Sequence, residues 1–183
     1  MKRISLLFSV LVVCFVAAMQ AQAPTPKPDP ALQQLRPWVG YWTFECDYKP
    51  GPLGPGGKVT GEWASQMILG GFFAQNRWAQ KGPAGELRGI DIVGYDPVDK
   101  NFTFTGFQSN GTTSSWTFTI SGNTVTDAGK FFFNGKQYLG RVTETYTADW
   151  ASGVWKGEIS TDGKTWVPWF EWKMTKVKPA AKK

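Results

Sequence analysis

From Gly40 to Lys176 the chain alternates large apolar residues with polar ones in short runs, and the runs stop at Gly, Asn, Asp and Ser. Successive side chains on a strand point to opposite faces, so this alternation buries one face and wets the other. The spacing predicts ten strands, at Gly40–Tyr48, Lys58–Met67, Phe72–Gln80, Leu87–Tyr95, Asn101–Gln108, Thr112–Ile120, Asn123–Phe133, Lys136–Ala148, Gly153–Ser160 and Lys164–Lys176. The breaks carry turn chemistry: Gly70-Gly71, Asp96-Pro97, Asn110-Gly111, Gly122-Asn123, Asn134-Gly135, Ser152-Gly153 and Asp162-Gly163 favour tight reversals or positive φ. Short links make sequential neighbours antiparallel partners. The expected fold is all-β, an antiparallel up-and-down barrel of about ten strands, which removes exposed sheet edges and has room for a ligand. The glycine-rich stretch 51–57 lacks a following helix and a Lys-Ser/Thr, and reads as a loop, not a phosphate cradle.

The two ends carry different information. Lys2 and Arg3 precede an apolar run, Ile4 to Ala18, followed by small residues up to Ala23. This has the form of a secretory signal over residues 1–23, cut after Ala23 or after Ala18, and is too short for a comfortable membrane span. Val13 before Cys14 is not the small residue a lipidation site wants, so simple cleavage is expected. Residues 24–30 form a proline-rich linker, residues 31–176 the barrel domain, and residues 177–183 a Lys/Ala tail. A short helical turn is expected at Ala31–Leu35, with Asp29 as its cap and Pro30 at its first position. The protein is expected to be exported, to the periplasm or the exterior.

The mature chain keeps one cysteine, Cys46, so no intrachain disulfide can form and stability must come from the core. The formal charge of +6 is not spread over a face. Lys2 and Arg3 leave with the signal, and without Lys176, Lys178, Lys182 and Lys183 the remaining acids and bases balance. No nucleic-acid surface is expected, because the aromatics are not interleaved with Lys and Arg. The chain has no histidine. That excludes a Ser-His-Asp or Cys-His catalytic set, a His-ligated metal and a His-ligated haem. No cofactor is expected.

Leu32 to Trp42 places a helical turn before Gly40-Tyr41-Trp42 at the head of the first strand. This resembles the opening of calycins, the superfamily of lipocalins, fatty-acid-binding proteins and nitrobindins. Three further segments, Met67 to Phe72, Ile92 to Asp96 and Ser160 to Trp166, resemble one bacterial calycin-like family of unknown function. The likeness spans about Leu32 to Lys176. It implies a barrel with a ligand-sized interior and no assigned activity. Nitrobindins hold haem through a histidine that this chain cannot supply.

Alternation nominates the inward residues. Trp63, Trp116, Phe118, Tyr146, Trp155, Phe170 and Trp172 either line an apolar pocket or fill the interior as core. Trp166 shares the inward parity of Phe170 and Trp172, and Trp169 is expected outside as an exposed contact. Trp42 is expected to plug one barrel end. Glu144 lies between Val142 and Tyr146 on the face of Tyr138, which makes it a buried carboxylate unless a bulge turns it out. Arg88, on the parity of Ile90 and Ile92, is its candidate partner, with Asp91 facing outward. Asp96 and Asp99 fit a turn better than a calcium loop, and Cys46 fits an inert buried thiol.

Three functions follow. The first is a lipocalin-like barrel that binds a small, largely apolar or amphipathic molecule through Trp63, Arg88, Trp116, Phe118, Glu144, Tyr146, Trp155, Phe170 and Trp172. The second is a structural or interaction protein of the cell envelope with a filled aromatic core. The third is a hydrolase- or isomerase-type enzyme acting on a lipid-like substrate through Glu144 and Arg88.

Overall fold

A computed structural model describes residues 25–177. The signal segment, its cleavage site and the tail beyond Val177 lie outside the described residues. The strands are β1 (Gly40–Tyr48), β2 (Gly57–Ile68), β3 (Phe73–Gly82), β4 (Gly85–Asp96), β5 (Asn101–Gln108), β6 (Thr113–Ser121), β7 (Thr124–Phe133), β8 (Lys136–Tyr146), β9 (Ser152–Ser160) and β10 (Val167–Val177). Each pairs antiparallel with its sequence neighbours, and β10 closes on β1 to complete the barrel. This is the up-and-down architecture predicted from the alternation and the short turns. Among the described residues, no helix is long and apolar enough to cross a membrane.

A 3-10 helix, Pro30–Trp38, covers the end of the barrel where β1 begins. The Asp29 carboxylate accepts the Ala31 N–H at 2.8 Å, which satisfies one orphan donor of the first turn. Leu32, Leu35 and Trp38 are all buried and recur every third residue, the period of a 3-10 helix. The helix therefore runs three residues past the expected turn. Trp42, fully buried, donates its indole N–H to the Trp38 carbonyl at 2.8 Å. Lys176 donates to the Pro37 carbonyl at 2.7 Å, with its ammonium 5.3 Å from the Trp42 ring centre. The opening motif thus fastens the cap to the barrel end.

Aromatic rings pack in series through the interior, Phe44, Trp172 and Trp155 stacked and Trp63 edge-on. Phe44 lies 4.5 Å from Trp172, Trp172 lies 5.4 Å from Trp155, and Trp155 lies 5.6 Å from Trp63 across the barrel. Each such pair adds roughly 0.5–1.5 kcal/mol beyond the apolar area it buries. A smaller cluster of Phe131, Tyr138 and Ile159, with Trp116 and Trp169 against it, packs the far end. Cys46 is buried among these rings, and burial pushes its thiol up, out of the reactive range.

Two faces differ from the sequence reading. In β4, Gly89, Asp91 and Val93 are buried while Arg88 and Ile90 are exposed, so Asp91 points inward and Arg88 outward. The packing of β3 sets this parity. The Trp78 indole lies over Gly89, with ring atoms 2.2 Å from where a Cβ would sit, so only glycine fits there. The branched residues Ile90 and Ile92 that suggested an inner face line the outer one. In β10, the pairing with β9 shifts register between Pro168 and Phe170. Trp169 therefore turns in and lies 4.9 Å from Phe131, whereas Trp166 lies outside beneath the Arg141 guanidinium, 4.5 Å from its ring centre. Trp169 is not the exposed contact expected, nor is Trp166 an inward residue.

Candidate functional site

The capped end of the barrel holds the chemistry. Glu144 on β8 is 4% exposed, so the bulge alternative does not apply. It accepts a hydrogen bond from the Tyr146 hydroxyl at 2.7 Å, and Tyr146 in turn accepts one from the Trp155 indole N–H at 3.0 Å. Asp127 on β7 joins it. In the β7–β8 ladder Val125 faces Glu144 and Asp127 faces Val142, which makes the two acids diagonal neighbours on one inner face. One Asp127 oxygen, Oδ2, is fully buried and has no hydrogen-bond partner.

Electrostatics follow from this geometry. Burial raises the Glu144 carboxyl well above its ordinary range, the nearby Asp127 charge raises it further, and the Tyr146 hydrogen bond pulls the other way. Burial alone lifts Asp127 to about 7. Burial, then the Glu144 charge, pushes the Tyr146 phenol up. The Glu144–Asp127 pair therefore holds protons at a pH where surface acids have lost them.

Aromatic rings flank the pair, with Phe118 opposite Asp127 and Trp155 opposite Glu144 in the ladders. Trp38 lies 5.3 Å from Phe118 and 6.5 Å from Tyr146; Trp42 lies 6.0 Å and Trp150 4.4 Å from Tyr146. The indole N–H groups of Trp38 and Trp63 are buried without an acceptor.

A second polar group sits on the other wall. Ser65, Asn76 and Asp91 face one another across β2, β3 and β4 and are 5%, 3% and 7% exposed. Ser65 Oγ and Asn76 Oδ1 have no hydrogen-bond partner. Burial lifts the Asp91 carboxyl to about 7, against a smaller lowering by the Trp78 indole. The next residue in the row is Gly106, where an added Cβ would meet Asp91 Oδ1 at 2.9 Å and Ser114 Oγ at 2.6 Å. Both polar atoms therefore converge over bare backbone.

The structure brings five of the nominated residues together near the cap: Trp63, Phe118, Glu144, Tyr146 and Trp155. Phe170 and Trp172 belong to the ring stack that continues from Trp155 toward Tyr48, and Trp116 packs at the far end. Arg88 is not in the site. It lies on the outer wall, with its guanidinium 2.6 Å from Glu86, and cannot neutralise Glu144. Asp127, Asp91, Asn76, Ser65, Trp38 and Trp78 were not nominated. For Asp127 the signal was present, since it shares parity with Val125 and Phe131. Two surface depressions, of about 770 and 430 Å³, lie over outer strand faces, and neither is lined by Glu144, Asp127 or Asp91.

Residues 27–152 match the model of a family described as a protein of unknown function (DUF1579). The chain belongs to that family. No curated protein matches it. Among solved structures, Rv2717c from M. tuberculosis is similar, with a TM-score of 0.61 and 12% identity over 83% of this chain and 100% of that one. The S-type phycobiliprotein lyase CPES from Guillardia theta gives a TM-score of 0.48 at 11% identity, covering 82% of this chain and 93% of that one. At 12% identity the likeness to Rv2717c is one of fold.

Proposed function

We propose that this chain is an exported, calycin-like barrel that takes up one small, largely apolar molecule and seats its polar end against Glu144, Asp127 and Tyr146. The observation that carries this reading is hydrogen-bonding capacity the fold leaves unused. Asp127 Oδ2 and the indole N–H groups of Trp38 and Trp63 are all buried and unpaired at the capped end. Native cores satisfy such groups, because each unpaired one costs roughly 1–3 kcal/mol. A barrel selected for stability alone would carry apolar residues there. A ligand with a polar end recovers that cost. The way in is beneath the 3-10 helix, which polar groups fasten through the Pro37 and Trp38 carbonyls.

A second reading, a structural envelope protein with a filled aromatic core, is favoured by the rings that touch across the barrel and by the outer position of the two depressions. The enzyme reading loses its partner residue, because Arg88 is outside. Native mass spectrometry of protein purified from its own host separates the first two. A retained small molecule, released by Trp38→Ala, is the expected result. Bare protein mass, with no binding of amphipathic probes by either form, supports the filled core instead.

A further inference from the structure

The interior is short of positive charge. Glu144, Asp127 and Asp91 face inward from β8, β7 and β4. Every Lys and Arg among the described residues is exposed except Lys176. Lys176 sits at the rim, donates to the Pro37 carbonyl and forms no ion pair among the described residues. Glu144 and Asp91 are buried, and Asp127 is half-buried with one oxygen fully enclosed. Such acids without a base stay protonated or hold a cation, since a lone carboxylate in a dry interior is too costly.

Two independent features point to the cation. One is the set of unpaired polar oxygens: Asn76 Oδ1 and Ser65 Oγ, on side chains 3% and 5% exposed, beside Asp91, and Asp127 Oδ2 beside Glu144. These oxygens call for a donor-rich group. The other is the lining. Tyr146 donates to Glu144, Trp155 and Phe118 are the cross-strand partners of Glu144 and Asp127, Trp38 packs on Phe118 and Tyr146, and the Trp78 indole bonds to Asp91. Ring faces attract ammonium groups, most strongly where water is excluded. A carboxylate-headed ligand would instead set a fourth acid against these three. A metal ion is not supported, because among the described residues no three His, Cys, Asp or Glu converge.

We propose that the molecule seated in this barrel is an organic cation, a protonated amine on an apolar body, whose N–H groups can reach the unpaired oxygens. The proposal rests on the ligand-binding reading above and narrows it to one head-group class. The unpaired N–H groups of Trp38 and Trp63 leave room for an acceptor oxygen next to the ammonium.

The test compares dodecylamine, dodecanol and dodecanoate, each below its micelle concentration, by calorimetric titration at pH 8. The amine should bind roughly tenfold or more tighter than the alcohol, and dodecanoate weakest, if aromatic faces and carboxylates both act on the head. The double variant Glu144→Gln with Asp127→Asn keeps the shape of the site and should erase most of the amine preference, read as the ratio of amine to dodecanol affinity within the variant. If dodecanol or dodecanoate binds as tightly as the amine, the cationic head is wrong and the barrel still binds small molecules. The cationic head is equally wrong if the preference survives in the double variant, because the amine would then be reading the outer surface. If none of the three binds, the ligand-binding reading itself fails. If the double variant does not fold, Glu144→Gln alone supplies the same comparison.

Discussion

Replacing Asp91 by Asn should make the ligand-free protein more stable at pH 8 and leave it nearly unchanged at pH 4.5. Burial holds the Asp91 carboxyl at about 7 in the folded state, against an ordinary value of 3.8. Its folded pKa is raised, so the folded protein holds the proton more tightly than the unfolded chain. The group's contribution is therefore fully present below about pH 4 and is lost as the pH climbs to about 7. Above that, the folded state carries a buried carboxylate. A shift of about three units corresponds to about 4 kcal/mol at 1.36 kcal/mol per unit. Asn has nearly the same shape and no charge. Its cost is a poorer match to the Trp78 indole donor, about 1 kcal/mol. The net gain expected at pH 8 is thus about 3 kcal/mol. Urea denaturation of both proteins at a series of pH values reads it directly. The wild-type midpoint should fall between pH 4.5 and 8, and that of Asp91→Asn should fall less. Parallel curves would mean that Asp91 meets water and titrates normally, and the inward assignment of β4 would then be wrong.

Four further outcomes test the rest of the reading. For Glu144→Gln and Asp127→Asn, a double-mutant cycle at pH 8 should show the two single gains summing to more than the double, because either change relieves the same repulsion; strict additivity would place the acids apart. Gly89→Ala should lower the thermal midpoint by an amount equivalent to roughly 1–3 kcal/mol, since the new methyl collides with the Trp78 ring; a neutral effect would show that Trp78 lies elsewhere. Arg88→Ala should change the stability read by urea by no more than about 0.5 kcal/mol, the size of an exposed ion pair, and a loss of several kcal/mol would restore it to the interior. Asp162 is held down to about 2 by backbone N–H donors from Thr165 and Lys164, so its support for the β9–β10 turn is present above about pH 4 and lost as the pH falls toward 2; an Asp162→Ala protein with unchanged acid sensitivity would refute that.

The sequence carried the barrel because one-face burial repeats with a period of two on nearly every strand, and turn residues mark where strands end. It carried Glu144 for the same reason, since Val142 and Tyr146 fix its parity. Two things were not legible. On β4 the alternating branched residues line the outer wall, and the inner face is set by a ring from the neighbouring strand lying over Gly89. Local alternation contains no information about which neighbour needs the space. On β10 the register shift between Pro168 and Phe170 exchanges the faces of Trp166 and Trp169. Proline removes a ladder donor, which was visible, but whether the strand bulges or simply ends depends on its partner. The 3-10 cap was readable in hindsight: Leu32, Leu35 and Trp38 repeat at three, not at the helical spacing of three and four.

The placement of the acids adds to the case for access at the capped end. The far end is closed by rings packed face to face, Trp116, Trp169 and Phe131, with centres 4.9 to 6.5 Å apart. Opening it means separating apolar surfaces in water. The other end is closed by a 3-10 helix, a conformation with weaker hydrogen-bond geometry than an α-helix. Polar groups tie its last turn to the barrel. Asp127 and Glu144 lie at the end that helix covers, and their burial works against the folded state as the pH rises. The helix and the coupled acids therefore lie at the same end of the barrel. A barrel built only to persist would gain by exchanging these acids for apolar residues, whereas one that admits a polar head needs both features at the same end.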